Sequence, residues 1–308
     1  MDRKKAYVLA ITGAACWGLI GLFVQPLYAY GLSAWNVVAI RVISSGLLMI
    51  VYLGAFNPRL LKIRWQDSFF FVGTGILSIV FFNWCYFTVI DQVSLSLAVT
   101  LLYTGPMFVT VMSYLLFKER LSKMKIIALL VTLIGCGFVV GLFPSLKVNM
   151  SWSAVLIGLA SGFCYALYSI FGKYMGERYS TLTITTYSFV FASLFMVPTG
   201  GLWQKLDVVL TGDVMLLSLG LALIPTCLAY ILYTYGLSLI ESSRASILAT
   251  IEPVVAIIIG VLVFRNHLSY WQGAGMLCIL VAILMTTGLY RRKKNDAGTT
   301  SSVGTLKG

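Results

Sequence analysis

The sequence predicts an all-α membrane protein in which ten transmembrane helices form two inverted five-helix repeats around a central cavity. Three observations predict this fold class: the composition, the spacing of apolar windows, and an internal repeat. Of the 308 residues, 59% are hydrophobic and 10% are charged, and the mean hydropathy is +0.94. Soluble domains are about 45 to 50% apolar and about 25% charged, so this composition excludes a soluble enzyme.

Ten windows along the chain reach the roughly 20 apolar residues that a membrane-spanning helix needs. They cover residues 6–25, 34–53, 68–90, 94–117, 124–142, 152–173, 181–201, 213–238, 243–264 and 270–290. The remaining segment, 291–308, is polar and rich in Gly, Ser and Thr, which predicts a disordered cytoplasmic tail. All six cysteines lie inside apolar windows without a CxxC pair, so we expect no disulfide, no metal site and no cofactor.

Lysine and arginine residues are distributed very unequally between alternate gaps. Eighteen lie in the gaps on the side of the N-terminus, three lie on the other side, and Arg41 lies within a window. The positive-inside rule therefore predicts a multi-pass protein of the cytoplasmic membrane with both termini in the cytoplasm. Because the charges punctuate the chain and form no extended basic surface, we expect the lipid bilayer as a partner and no nucleic acid.

An internal repeat relates the two halves of the chain at an offset of 147 residues. Residues 94–122 align with 241–269 without a gap and with eight identities, which include Pro106 and Pro253. The repeat predicts two units, 1–148 and 149–290, of five spans each. Since five is odd, the second unit enters the membrane from the opposite side, an arrangement that suits alternating access to a central site.

Several motifs resemble the EamA-type branch of the drug/metabolite transporter superfamily over about residues 6–290. The motifs are Ala14-Ala15-Cys16-Trp17-Gly18, Arg41 in the second window, Ser96-x-Ala98 and Ser243-x-Ala245 with a tyrosine ten residues before each, Gly105-Pro106, Glu252-Pro253, and Phe117-Lys118-Glu119-Arg120-Leu121. The resemblance implies a ten-helix secondary transporter for amino acids, other metabolites or toxic organic compounds, and many members resemble exporters. One departure is Asn266, which stands where the family has Glu at the end of the second repeat's fourth helix.

Two charged residues within the windows are candidates for the site. Glu252 lies halfway along the ninth window, where an acid costs roughly 2.5 to 3.5 kcal/mol, so it should face protein or water. It either binds a cationic group of the substrate, carries a coupling proton, or is a protonated acid that hydrogen-bonds a neighbouring helix. Arg41 either snorkels outward, pairs with an acid or freed carbonyl groups, or binds a substrate carboxylate.

Helix breaks and gates are predicted at three further positions. Pro106 and Pro253 interrupt equivalent spans, and matched interruptions indicate a midplane site, although each could be a packing kink alone. Glu119 stands in a basic loop at the cytoplasmic end of the fourth span, where it forms either a solvated salt bridge or a gate latch.

Aromatic and amide side chains near the middle of the spans complete the predicted substrate site. They are Trp17, Asn83, Tyr103, Tyr165 and Tyr230. A flat apolar face with one polar handle suits a cavity that holds an organic solute loosely, whereas an interfacial belt is the alternative for such residues.

The sequence therefore predicts a secondary transporter that exports a small metabolite, an amino acid or related compound, with Glu252 as a candidate for proton coupling. Uptake of a nutrient and efflux of toxic organic cations remain alternatives on the same fold. An intramembrane enzyme is not expected because the spans supply one mid-membrane carboxylate and no histidine. The sequence indicates neither the substrate itself nor an oligomeric state.

Overall fold

The computed structural model describes residues 3–142 and 151–287. Within these ranges the chain is helical and contains no strand. The predicted boundary at 148 and the predicted tail, 291–308, lie outside the described residues. The α-helices are α1 (Arg3–Trp17), α2 (Ile20–Ala29), α3 (Ala34–Phe56), α4 (Ser68–Val72), α5 (Phe82–Gln92), α6 (Leu95–Leu102), α7 (Gly105–Phe117), α8 (Lys123–Val139), α9 (Trp152–Met175), α10 (Thr181–Thr199), α11 (Leu206–Val209), α12 (Gly212–Ala222), α13 (Ala229–Leu239), α14 (Ser242–Ala249), α15 (Ile251–Leu262) and α16 (Tyr270–Thr287).

Nine helical stretches of the described chain have the length and apolarity of membrane spans. They are Arg3–Ala29, Ala34–Phe56, Trp65–Gln92, Leu95–Phe117, Trp152–Met175, Thr181–Thr199, Gly212–Leu239, Ser242–Leu262 and Tyr270–Thr287. The predicted window 124–142 forms α8, which is also apolar but has 17 residues. The predicted windows thus coincide with helices, and most of their ends agree within a few residues.

Three of these stretches are broken near their middle. The first breaks between α1 and α2 at Gly18, the fourth between α6 and α7 at Tyr103, and the eighth between α14 and α15 at Thr250. Pro106 and Pro253 do not lie at the breaks themselves but in the first turn of the helix that follows. A proline fits there without loss, since the N–H groups of a first helical turn have no partner inside the helix.

Two further stretches contain π-helical segments. Residues Gly73–Phe81 connect α4 to α5, and Leu223–Leu228 connect α12 to α13. A π-helical segment widens the helix and places one extra residue in a turn, which is frequent at functional sites. Here the second segment orients Thr226, whose hydroxyl donates to the carbonyl of Leu221 five residues earlier, at 2.7 Å.

The helices pack as a bundle in which α1 lies against α13, α5 against α9, α3 against α10, and α8 against α16. The largest buried cluster includes Ala10, Trp17, Tyr233, Leu237 and Leu248, from α1, α13 and α14. Small residues on α1 let it approach α13 closely, while the aromatic residues fill the centre. The bundle therefore has a packed core beside the helix breaks.

Two tyrosine–aspartate hydrogen bonds tie loops to distant helix starts at the two faces of the bundle. Tyr179, after α9, donates to Asp67 at 2.7 Å, and Arg178 bridges the same carboxylate at 3.0 Å. Tyr30, after α2, donates to Asp213 in the first turn of α12 at 3.1 Å. We call these two contacts the tyrosine clamps.

Candidate functional site

A cavity of about 270 Å³ lies where the broken helices meet. Its polar lining comes from α1, α2, α3, α5, the α6–α7 break and α15, and it consists of Trp17, Tyr28, Arg41, Asn83, Tyr86, Tyr103 and Glu252. A wider depression of about 860 Å³, lined by Ser33, Trp35, Trp84, Asp91 and Leu95 among others, shares Tyr28, Ala34, Tyr86 and Phe87 with the cavity. We call this depression the vestibule, and the side on which it lies the vestibule face.

Arg41 is the cationic group of the cavity. Its Nε donates to the Thr226 hydroxyl at 2.9 Å, and its guanidinium carbon lies 5.9 Å from the centre of the Tyr230 ring. Among the described residues its other two nitrogens have no hydrogen-bond partner. A guanidinium held by one nitrogen and an aromatic face keeps its remaining N–H groups available for a carboxylate.

Glu252 is the acidic group of the cavity. It is half-buried, lies in the first turn of α15, and has no hydrogen bond or ion pair with any described residue. The positive end of the α15 dipole favours the ionised form of its carboxyl group, whereas burial within the span favours the protonated form. Gly18 makes this arrangement possible, because a Cβ there would lie 2.7 Å from the carbonyl oxygen of Glu252 and 2.6 Å from the Cβ of Val255.

An aromatic layer closes the cavity on the side away from the vestibule. Trp17 packs against Tyr230 and Tyr233 with ring centres 5.1 and 4.9 Å apart, and Tyr168 meets Tyr230 at 4.9 Å. Two hydrogen bonds fix the layer: Tyr168 with Thr234 at 2.7 Å, and Tyr233 with Ser169 at 2.8 Å. The layer encloses a void of about 10 Å³, about the space that one water molecule requires.

The opposite side of the bundle, on which Arg3 lies, is closed by an ionic network, and we call it the N-face. Glu119 accepts hydrogen bonds from the backbone N–H groups of Ser242 and Ser243 at 2.6 and 3.2 Å and from the Ser243 hydroxyl. Lys125 donates to the Ser243 hydroxyl at 3.0 Å and pairs with Glu241 at 3.0 Å. Both Glu119 and Lys125 are buried.

Glu241 and Arg244 complete the N-face network. Burial alone would raise the pKa of the Glu241 carboxyl, but hydrogen bonds from Arg244 and Lys125 outweigh it and hold that pKa below its ordinary value. Arg244 also donates to the Thr286 carbonyl at 2.8 Å and to Tyr7 at 3.3 Å. The network therefore joins α1, α8, α14 and α16 while Glu241 is ionised.

The structure brings together five of the ten residues that the sequence singled out. Trp17, Arg41, Asn83, Tyr103 and Glu252 line the cavity. Tyr165 and Tyr230 line the small void beneath it. Pro106 and Pro253 follow the breaks without lining the cavity, and Glu119 lies in the N-face network rather than in a solvated loop.

Sequence reasoning missed two contributors, Thr226 and Tyr28. Thr226 holds Arg41, and its role depends on the π-helical segment, for which the apolar sequence Leu223–Leu228 gives no periodic signal. Tyr28 lines the cavity and the vestibule although it lies near the end of a span, where an interfacial belt is the simpler expectation. In the two described ranges no group of three or more His, Cys, Asp or Glu side chains could hold a metal ion.

Comparison of the sequence with known proteins identifies its family. The model of the EamA-like transporter family matches twice, at residues 4–141 and 152–288. The chain is 22% identical over 299 residues to the uncharacterized inner membrane transporter YicL of Salmonella typhimurium, covering 96% of this chain and 99% of the relative. It is 27% identical over 214 residues to an uncharacterized transporter of Archaeoglobus fulgidus, covering 68% and 75%.

A third relative carries a more specific name, and one solved structure shares the fold. The threonine/homoserine exporter RhtA of Salmonella typhimurium is 26% identical over 258 residues, 84% of this chain and 83% of the relative. A crystal structure of a protein superposes with a TM-score of 0.78 over 94% of this chain and 99% of its own length, at 18% identity. Since the family model covers both halves of the described helices, the chain is a multi-pass membrane protein that belongs to the EamA-like transporter family.

Proposed function

We propose that the chain is a secondary transporter that exports a small zwitterionic metabolite of the amino acid class across the cytoplasmic membrane by alternating access. One observation carries the proposal: the guanidinium of Arg41 and the carboxyl group of Glu252 line the same cavity. An amino acid presents a carboxylate and an ammonium group, which a guanidinium and a carboxylate would bind respectively. When Glu252 is ionised the two site charges balance, so the cavity would accept a solute without net charge.

The size and lining of the cavity support a small organic solute. Its volume of about 270 Å³ lies just below the range of roughly 300 to 1,000 Å³ typical of sites for drug-sized ligands. Trp17, Tyr86 and Tyr103 offer apolar faces with one polar atom each, which suits contact with an aliphatic side chain. The relatives named threonine/homoserine exporters support the same substrate class and the outward direction.

Ten spans in two inverted five-helix halves, 1–148 and 149–290, would provide alternating access. Equivalent elements begin 147 residues apart: α6 and α14 at Leu95 and Ser242, and α8 and α16 at Lys123 and Tyr270. The helix contacts also correspond, since α1 packs on α13 as α9 packs on α5. With the excess of Lys and Arg on the N-face, the N-face would be cytoplasmic and the vestibule would open outward.

Glu252 would also be the group through which a proton gradient drives transport. Of the acidic residues in the described spans it alone lies away from the span ends, and it has no hydrogen-bond partner among the described residues. A carboxylate that binds an ammonium group in one conformation and a proton in the other would exchange the two. The Arg41 guanidinium keeps its charge throughout.

The test uses purified full-length protein in liposomes that are preloaded with pools of unlabelled amino acids, with counterflow of radiolabelled amino acids as the measurement. We expect uptake of label above that of empty liposomes, and we expect a pH gradient to increase it. Glu252→Gln should abolish the response to the pH gradient, and Arg41→Gln should raise KM for carboxylate-bearing solutes. Asp207→Asn and Arg59→Gln, both exposed and outside the membrane-spanning stretches, are the matched controls and should transport normally.

The outcomes separate the alternatives. If organic cations undergo counterflow, and if this counterflow persists in Arg41→Gln but is lost in Glu252→Gln, the substrate is a cation and not an amino acid. A pH response that survives Glu252→Gln would remove the coupling role of this carboxylate. If no solute of either class crosses faster than in empty liposomes under any gradient, the transport proposal for this cavity is wrong.

A further inference from the structure

The contact that closes the N-face has a counterpart at the vestibule face that is not engaged. At the N-face, the loop after α7 supplies Glu119, which binds the first turn of α14, and Lys125 at the start of α8 supports it. We call Glu119 and Lys125, with the first turn of α14, the first latch. The residues 147 positions later are Asn266, after α15, and Gln272, at the start of α16.

The backbone of the two loops is the same. Lys118 and Arg265 both have left-handed backbone conformations, with φ of 53° and 54°, and they are the only non-glycine residues with positive φ in the described ranges. The next residue bonds back to its helix in both loops: Glu119 N–H to Ser113 at 3.2 Å and Asn266 N–H to Gly260 at 3.0 Å. The backbone of Asn266 therefore has the conformation that the backbone of Glu119 has.

The target of such a contact is also present at the vestibule face. The first turn of α6 begins at Leu95, which is 147 residues before Ser242, the first residue of α14. Leu95 is 58% exposed and lines the vestibule. Asn266 is exposed, and its side chain lies over its own helix end, where a Cβ at Gly260 would be 3.2 Å from its Nδ2. One latch is engaged and the other is open.

We infer that Asn266 and Gln272 form a second latch that binds the first turn of α6 when the vestibule closes, and that the neutral second latch makes the N-face-closed conformation the resting state. The inference rests on the proposed alternating access. It assigns gating residues that do not touch the substrate. The independent support is the engaged Glu119 contact at the equivalent position of the other half.

The difference between the latches follows from their chemistry. Glu119 accepts three hydrogen bonds with both carboxylate oxygens and lies at the positive end of the α14 dipole. Asn266 has one acceptor oxygen, carries no charge and is one methylene shorter. Gln272 is neutral and its amide oxygen accepts from Ser269 N–H at 3.0 Å. Lys125, its counterpart, is charged and pairs with Glu119.

Hydrogen exchange of the full-length protein in lipid nanodiscs, followed by mass spectrometry, tests the second latch without any substrate. In the double variant Asn266→Glu with Gln272→Lys, exchange of the amides at 95–98 should slow by about tenfold or more, because a hydrogen bond to a charged group is worth at least about one decade in an equilibrium constant. Exchange at 242–245 should accelerate in the same sample. Glu119→Gln should accelerate exchange at 242–245 and slow it at 95–98.

The control is His267→Glu, which adds the same charge to an exposed neighbouring position and should leave both segments unchanged. Protection at 95–98 without any acceleration at 242–245 would mean a local helix cap and would overturn the inference, as would no change at either segment. Because the readout needs no transported solute, a failed counterflow assay would count against the proposed substrate and not against the second latch.

Discussion

At the scale of single residues, Trp17 combines deep burial with an unpaired donor. Its side chain is 6% exposed, and its Nε1 has no hydrogen-bond partner in the described structure. An unpaired buried N–H is costly, so a solute or a water molecule would be expected to accept from it. Trp17 touches both the cavity and the small void, which places this donor at the boundary between them.

Replacing the Trp17 indole by a ring without the N–H tests this role. In Trp17→Phe we expect KM for the transported solute to rise roughly three- to tenfold, which corresponds to the loss of one hydrogen bond. Trp35→Phe is the comparison, since Trp35 donates to the Thr199 carbonyl at 3.0 Å. It should lower the melting temperature with little change in KM. Equal KM values for Trp17→Phe and the parent protein would contradict the role.

Thr226 is expected to act through Arg41 rather than on the substrate. Its hydroxyl accepts from Arg41 Nε, so Thr226→Val leaves the guanidinium without this anchor. We expect KM to rise with kcat nearly unchanged, and Thr226→Ser to restore the parent KM because it keeps the hydroxyl. Thr132→Val on α8 is the control, since the Thr132 hydroxyl is buried without a partner in the described residues. A failure of Thr226→Ser to restore KM would refute the positioning role.

At the scale of elements, the junction between α1 and α2 depends on close backbone approach. Gly18→Ala would place a methyl group 2.6 Å from Val255 and 2.7 Å from the Glu252 carbonyl, so α2 and α15 must move apart. Overpacking of this kind costs about 1 to 3 kcal/mol, and we expect a lower melting temperature together with loss of transport. Gly54→Ala, an exposed position on α3 where a Cβ meets nothing within 4 Å, should keep both the melting temperature and transport. An unchanged melting temperature for Gly18→Ala would contradict this prediction, because it would mean that α2 and α15 accommodate the methyl group without cost.

The helices, their breaks and the π-helical segments differ in how well the sequence predicts them. The apolar windows coincide with helices because the need for about 20 apolar residues leaves little choice of position. The breaks were expected at Pro106 and Pro253 but begin at Tyr103 and Thr250, since proline is best tolerated just inside a helix start. The π-helical segments were not foreseen, because one extra residue in a turn changes no apolar pattern.

The site was partly foreseeable for a related reason. Glu252 and Arg41 stand out in the sequence because charges are expensive in a span, and both line the cavity. Glu119 gave no such signal, since it stands among basic residues and its partners are backbone N–H groups of a distant helix. Their roles in binding and gating stay predictions.

At the scale of the whole molecule, the cavity is walled off from the N-face by the aromatic layer and the ionic network. We therefore expect a cysteine introduced at Ala256, which lines the cavity, to react with a membrane-impermeant maleimide from the vestibule face alone. The experiment needs a background without the six native cysteines. Cysteines at Asp207 and Arg59, exposed positions outside the spans that are assigned to the vestibule face and the N-face, would report the sidedness. Labelling from the N-face in the resting protein would contradict the closure.

The tyrosine clamps have a consequence for how such a bundle rearranges. Each clamp joins a loop of one proposed half to the start of a helix in the other, at Asp67 and Asp213. A rocking motion of two halves needs contacts that do not move. We expect these two hydrogen-bonded junctions to be the pivots of that motion. The distance between spin labels placed beside Tyr30 and Tyr179 should then stay constant throughout the transport cycle. That distance would serve as an internal reference for the displacements of the other helices.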